Sequence, residues 1–144
     1  MNMQLQLEGI NKIYSKIESL KSYILILGTI KNITLDEIEK DAIKRGAIER
    51  YLQLAIESCI DIAELIISDQ RLPAPLTSKE TIEILGKAKI IDEEFSKRFS
   101  KAASFRNILI HDYLKIDYKE LLRNLKENLK DFDSFIKEIL KFLK

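Results

Sequence analysis

The chain has 144 residues, 46% of them hydrophobic and 33% charged, with 24 Lys and Arg set against 23 Asp and Glu. That near balance creates no global field for nucleic acid or membrane, so an anionic partner must meet a local patch. A single cysteine and a single histidine exclude an internal disulfide and a Cys/His zinc site within the chain.

Only 4 Gly and 2 Pro disfavour a turn-rich β-protein. The weight of Leu, Ile, Lys and Glu is that of long helices, and the length suits one domain spanning residues 1–144. The first helix follows from Ile10, Ile13, Ile17, Leu20, Ile24 and Leu27, which step by three and four, and it is expected to end near Gly28. Thr34 with Glu37 forms a capping-box pattern, and Asp41 could equally restart a helix after a short turn. That stretch runs through Leu52, Ala55, Ile56, Cys59, Ala63 and Ile66 to about Ser68, with Cys59 as a core residue. Arg71-Leu-Pro-Ala-Pro75 breaks it, because proline lacks an N–H and restrains the residue before it.

Thr77 and Glu80 predict a cap for a short helix to Gly86, and a further helix covers roughly Asp92 to His111. Asp117 with Glu120 opens the last one. Its apolar seam is Tyr118, Leu122, Leu125, Leu129, Phe132, Ile136, Ile139 and Leu143. Beside it run Lys119, Arg123, Lys126, Lys130, Lys137, Lys141 and Lys144. Such a stripe is a solvated face or, alternatively, a track for phosphates; interleaved Glu120, Glu127, Asp131 and Glu138 favour the former. The expected architecture is all-α, an antiparallel helical bundle. The N-terminus lacks a signal-peptide pattern. The longest uncharged apolar run, Tyr23 to Ile30, is far shorter than the roughly 20 residues that span a bilayer. A cytoplasmic protein is expected.

Gly-rich phosphate loops, paired metal-ligand motifs and nucleophile elbows are missing. The strongest local signal is Phe105-Arg106-Asn107-Ile108-Leu109-Ile110-His111-Asp112-Tyr113. At 100° per residue, Asn107 and His111 share one helical stripe and Arg106 and Tyr113 a neighbouring one, so four polar side chains can border one cleft. Histidine is the side chain that ordinarily titrates near neutrality; a histidine near a helix C-terminus can also be only a cap. Asp61 lies among apolar residues in Ser58-Cys-Ile-Asp-Ile-Ala-Glu64, where a carboxylate takes a cationic partner. It is either a plain capped or salt-bridged side chain or the group that orients Arg106.

The segment from Arg106 to Tyr113 resembles the R-x4-H-x-Y signature of HEPN-domain toxins of the HepT type. Arg50 to Ala63, then Leu72-Pro-Ala-Pro75, then Ser104 to Tyr113 and Ile116-Asp-Tyr118 follow that family's order, from about residue 5 to the C-terminus. The resemblance implies an antiparallel homodimer with both motifs facing a shared cleft, and pairing with a minimal nucleotidyltransferase antitoxin, MntA. It implies a ribonuclease needing no metal or cofactor. By position, Arg106 and His111 are the catalytic pair, Asn107 the substrate-positioning residue and Tyr113 the tyrosine that the antitoxin AMPylates.

In the mechanism this suggests, His111 takes a proton from a ribose 2′-OH and Arg106 stabilises the charged phosphorane-like transition state. DNA, lacking that hydroxyl, is not a substrate. The alternative is a non-catalytic module whose Arg106 and His111 hold a nucleotide for a partner nucleotidyltransferase. A third reading is a purely structural bundle.

Overall fold

The computed structural model describes residues 3–144, and the side chains of 7–144 apart from Tyr113. Six α-helices follow one another among the described residues: α1 (Met3–Gly28), α2 (Leu35–Lys40), α3 (Ala42–Asp69), α4 (Ser78–Lys87), α5 (Glu93–His111) and α6 (Tyr118–Leu143). A short 3-10 turn (Tyr113–Lys115) separates the last two. No described helix is long and apolar enough to cross a membrane.

Side-chain caps set most of the helix starts. Thr34 accepts from the Glu37 N–H while the Glu37 carboxylate accepts from the Thr34 N–H, a complete capping box. Asp41 closes α2 and opens α3, its carboxylate accepting from the N–H groups of Ile43 and Lys44. Thr77, Asp92 and Asp117 cap α4, α5 and α6 in the same way.

Two helix ends use non-glycine residues in the left-handed region. Arg71 (φ 54) closes α3 and Lys89 (φ 61) closes α4. In each case the next N–H reaches back five residues, Leu72 to Ile67 and Ile90 to Leu85, as in a Schellman end. The short helix expected to stop at Gly86 therefore runs on to Lys87. Gly86 serves packing instead: a Cβ there would lie 2.4 Å from Ser96, whose hydroxyl donates to the Ile82 carbonyl across the α4–α5 contact.

α3 is the central helix, in contact with α1, α2, α4, α5 and α6. Its middle is therefore buried on several sides, from Leu52 through Ala55, Ile56, Cys59, Ile60, Ile62 and Ala63 to Ile66. α1 lies antiparallel to it, since Lys16 meets Asp61 and Tyr23 meets Tyr51. α6 runs antiparallel to α5: the Asp92 N–H donates to Glu138, and Arg98 pairs with Asp131. Between them Phe99 packs edge-on to Phe132 and tilted against Phe135. The buried strip of α6 is broader than the predicted seam. It takes in Leu121, Asn128 and Phe135, while Tyr118, Leu122, Leu129 and Leu143 are half-buried. The reason is that α6 is covered from both sides, by α1 and α3 and by α5.

Candidate active site

The last two turns of α5 carry the polar motif. Phe105 and Leu109 are buried and fix the helix to the core, leaving Arg106 half-buried and Asn107 and His111 exposed. Arg106 points to α3. Its Nη2 donates to Glu57 Oε1 at 3.2 Å and its Nη1 to Asn107 Oδ1 at 3.3 Å. The same Glu57 oxygen accepts from Gln53 Nε2, one turn back on α3, at 3.1 Å.

A chain of four side chains, Gln53–Glu57–Arg106–Asn107, thus holds the guanidinium across the α3–α5 contact. The ion pair is well shielded, with 27% and 28% of the two side chains exposed. Arg106 Nε is buried and has no partner among the described residues. An arginine has five N–H donors in a fixed fork, so this one is held by two and keeps others free.

The carboxylate that meets Arg106 is Glu57, one turn before Asp61, for which the sequence leaves open both a plain salt bridge and the orienting of Arg106. Asp61 pairs with Lys16 of α1 at 3.1 Å, in a half-exposed bridge, and so faces the α1 side of α3 rather than α5. Glu57 and Asp61 share a stripe of α3, and only the docking of α5 separates their roles. The one signal in the sequence was Gln53, placed four residues before Glu57 and able to hold it.

A second difference concerns the motif's end. α5 stops at His111, and Asp112 leaves the helix with its N–H still donating to the Ile108 carbonyl. Tyr113 begins the 3-10 turn, so the helical stripe expected to join it to Arg106 is interrupted. Its side chain lies outside the described residues. Arg106 and His111 are five residues apart, about 7.5 Å along the axis and about 140° around it. Cys59 is fully buried, and burial, with Asp61 nearby, pushes its thiol well above the ordinary range. It is a core residue and no nucleophile.

An all-helical bundle with an Arg-Asn pair and a histidine closing its fifth helix belongs with the HEPN domains. The profile of the family described as Ribonuclease HepT-like matches residues 10–139, and the chain belongs to that family. It is 28% identical to the tRNA nuclease HepT of Aphanizomenon flos-aquae over 131 residues, 91% of this chain and 89% of that protein. To the mRNA nuclease HepT of Shewanella oneidensis it is 29% identical over 100 residues, 69% of this chain and 75% of that one. Among solved structures it is similar to the tri-AMPylated Shewanella oneidensis HEPN toxin in complex with MNT antitoxin. The TM-score there is 0.81 at 27% identity, covering 90% of this chain and 96% of that one.

Proposed function

We propose that this chain is the toxin of a HEPN/MNT toxin–antitoxin pair, an endoribonuclease that acts in the cytoplasm and cleaves RNA by 2′-OH transesterification without a metal. The observation that carries the reading is the guanidinium of Arg106, clamped by Glu57 and Asn107 with donors to spare, one turn and a half from the exposed His111. His111 removes the proton from a ribose 2′-OH. The oxygen attacks the adjacent phosphorus, the P–O5′ bond breaks, and the products are a 2′,3′-cyclic phosphate and a 5′-hydroxyl. Arg106 stabilises the extra charge on the phosphorane, where a fixed donor contributes most. Asn107 fixes the guanidinium and meets a phosphate oxygen.

The leaving O5′ needs a proton, and the chain has one histidine. A two-fold homodimer supplies a second motif to the same cleft. The wide angle between Arg106 and His111 around α5 supports this arrangement, because a scissile phosphate reaches both more easily when two copies face each other. The nucleotidyltransferase partner would silence the toxin by adding AMP to Tyr113. A bulky, anionic group beside the motif competes with RNA for Arg106 and obstructs the cleft.

RNA cleavage by wild type and His111→Ala, side by side in EDTA, tests the chemistry. Wild type should cut, the variant should not, and the 5′ fragment should end in a cyclic phosphate. Cleavage that EDTA abolishes, or that extends to DNA, would overturn it. Mass spectrometry after co-expression with the nucleotidyltransferase should find AMP on the Tyr113 peptide. An unmodified tyrosine in a silenced complex would point to inhibition by binding alone. A wild type that cuts nothing would return the chain to the nucleotide-holding reading. Light scattering should give a dimer at micromolar concentration; an active monomer would contradict the shared cleft.

A further inference from the structure

The charges of α6 are mixed in sequence but sorted in space. With Lys119 at zero, 100° per residue places Lys119, Lys126, Lys130, Lys137 and Lys141 within an arc of about 60°. All five are exposed. Arg123 lies on the same arc. The four acids that alternate with them in the sequence, Glu120, Glu127, Asp131 and Glu138, fall together about 100° round the helix. Two are engaged by α5: Asp131 by Arg98 at 3.1 Å and Glu138 by the Asp92 N–H at 3.3 Å. A third, Glu120, stands 3.9 Å from Arg123. Asp133 stands at the opposite edge, and Glu127 lies three residues before Lys130; neither forms an ion pair among the described residues. Among the described residues none of the five lysines has a carboxylate within 4.0 Å. A protein of net charge +1 therefore carries a straight cationic ridge about 33 Å long.

We propose that this ridge is a docking surface for the phosphate backbone of RNA, remote from the bond that is cut. The inference rests on the RNA-cleaving reading above for its purpose, though not for its measurement. The chemistry of the ridge selects the partner. It is almost wholly lysine, which protein–protein interfaces avoid, and it has no exposed aromatic or apolar anchor such as they use. The α6 aromatics Phe132 and Phe135 are buried, so no platform is offered for stacking bases. Flexible ammonium groups spaced one or two turns apart meet phosphates and read no sequence. The ridge starts at the end of α6 that follows the motif and, by the antiparallel pairing with α5, leads away from the level of His111. Long RNAs can engage it while short ones cannot.

Fluorescence anisotropy with a labelled 2′-O-methyl RNA of about 20 nucleotides, which offers no 2′-OH nucleophile, reads binding apart from cleavage. The triple variant Lys126→Gln/Lys130→Gln/Lys137→Gln should bind at least tenfold more weakly at low salt. Its plot of log K against log salt should be shallower by about 2, as the loss of three phosphate contacts requires. A matched variant, Lys12→Gln/Lys31→Gln/Lys87→Gln, removes the same charge from exposed positions elsewhere and should keep nearly the wild-type slope. Cleavage of a trinucleotide should be equal in all three proteins. Equal losses in both triples would reduce the effect to net charge and overturn the proposal, as would an unchanged slope in the ridge variant. Ridge-dependent binding to vesicles containing phosphatidylserine that exceeds binding to RNA would overturn it in favour of a membrane. If wild type cuts no unmodified RNA, long or short, while the ridge slope behaves as stated, the nuclease reading fails and the docking surface stands.

Discussion

Replacing Glu57 separates positioning from packing. Glu57→Ala deletes the carboxylate that takes the Arg106 Nη2 and the Gln53 amide, leaving the guanidinium held by Asn107 alone. Fully exposed pairs contribute about 0–1 kcal/mol, and breaking a buried one costs about 3–5 kcal/mol. With about a quarter of each side chain exposed, the stability loss should be about 1.5–2 kcal/mol, a few degrees in melting temperature. The kinetic loss should be larger in kind. Arg106 stays in the protein but not in place, and misplacement of a catalytic group by about 1 Å costs on the order of 10²-fold. kcat on a short RNA should therefore fall about 30- to 100-fold, or about 2–2.7 kcal/mol of barrier, while KM moves less than about threefold, since the contact proposed for Arg106 acts in the transition state. Glu57→Gln keeps an acceptor without the charge and should recover much of kcat. In a double-mutant cycle, adding Glu57→Ala to Arg106→Ala should cost little more. A Glu57→Ala enzyme that melts earlier but retains wild-type kcat would refute positioning and leave Glu57 as a packing residue.

Asp61→Asn should leave RNA cleavage within about twofold and stability within about 1 kcal/mol, because its bridge to Lys16 is half-exposed; a large loss of kcat would restore Asp61 to the site. Arg71→Gly should raise stability by up to about 1 kcal/mol in chemical denaturation, since only glycine holds φ 54 without strain. Gly86→Ala should do the reverse, by about 1–3 kcal/mol, because its methyl meets Ser96 at 2.4 Å. Cys59 should resist thiol reagents until the chain unfolds. Its thiol loses its proton more readily unfolded than folded. That contribution is therefore intact below the ordinary thiol range and is lost as pH rises through it, by at most about 1.4 kcal/mol per pH unit; Cys59→Ala should remove this part of the alkaline slope.

Helix content and most boundaries were legible because their causes are local. Thr34, Asp41 and Thr77 cap where a short polar side chain can reach the first free N–H groups, and Pro73 and Pro75 cannot continue a helix that precedes them. Docking was not legible. Apart from Gln53, four residues before Glu57, nothing in the order of residues distinguishes Glu57 from Asp61 as the partner of Arg106, because both lie on one stripe of α3 and the choice is made by how α5 packs. Gly86 read as a helix end, the commonest use of glycine, because Ser96 and the close α4–α5 approach are visible only in three dimensions. The α6 charges are a different case. Glu120, Glu127, Asp131 and Glu138 alternate with the lysines in order, yet 100° per residue already turns them to a different side of the helix; only the engagement of Asp131 and Glu138 from the α5 side required the packing.

The junction at Asp41 carries a consequence of its own. Neither glycine nor proline stands there. The Asp41 N–H donates to Glu37 and its carbonyl accepts from Arg45, but between them the N–H groups of Ile43 and Lys44 turn to the Asp41 carboxylate and leave the backbone ladder. What bends the chain is a set of side-chain contacts. The Asp41 carboxylate caps α3, Arg45 reaches back to the carbonyls of Ile38 and Glu39, and Ile38 is wholly buried. The same guanidinium lies over the Tyr118 ring at the start of α6. Without these contacts, Leu35 to Asp69 could wind as one uninterrupted rod about 52 Å long, overshooting every other helix of the molecule. A few polar atoms thus decide between two helices and one, and with that choice how far the molecule extends.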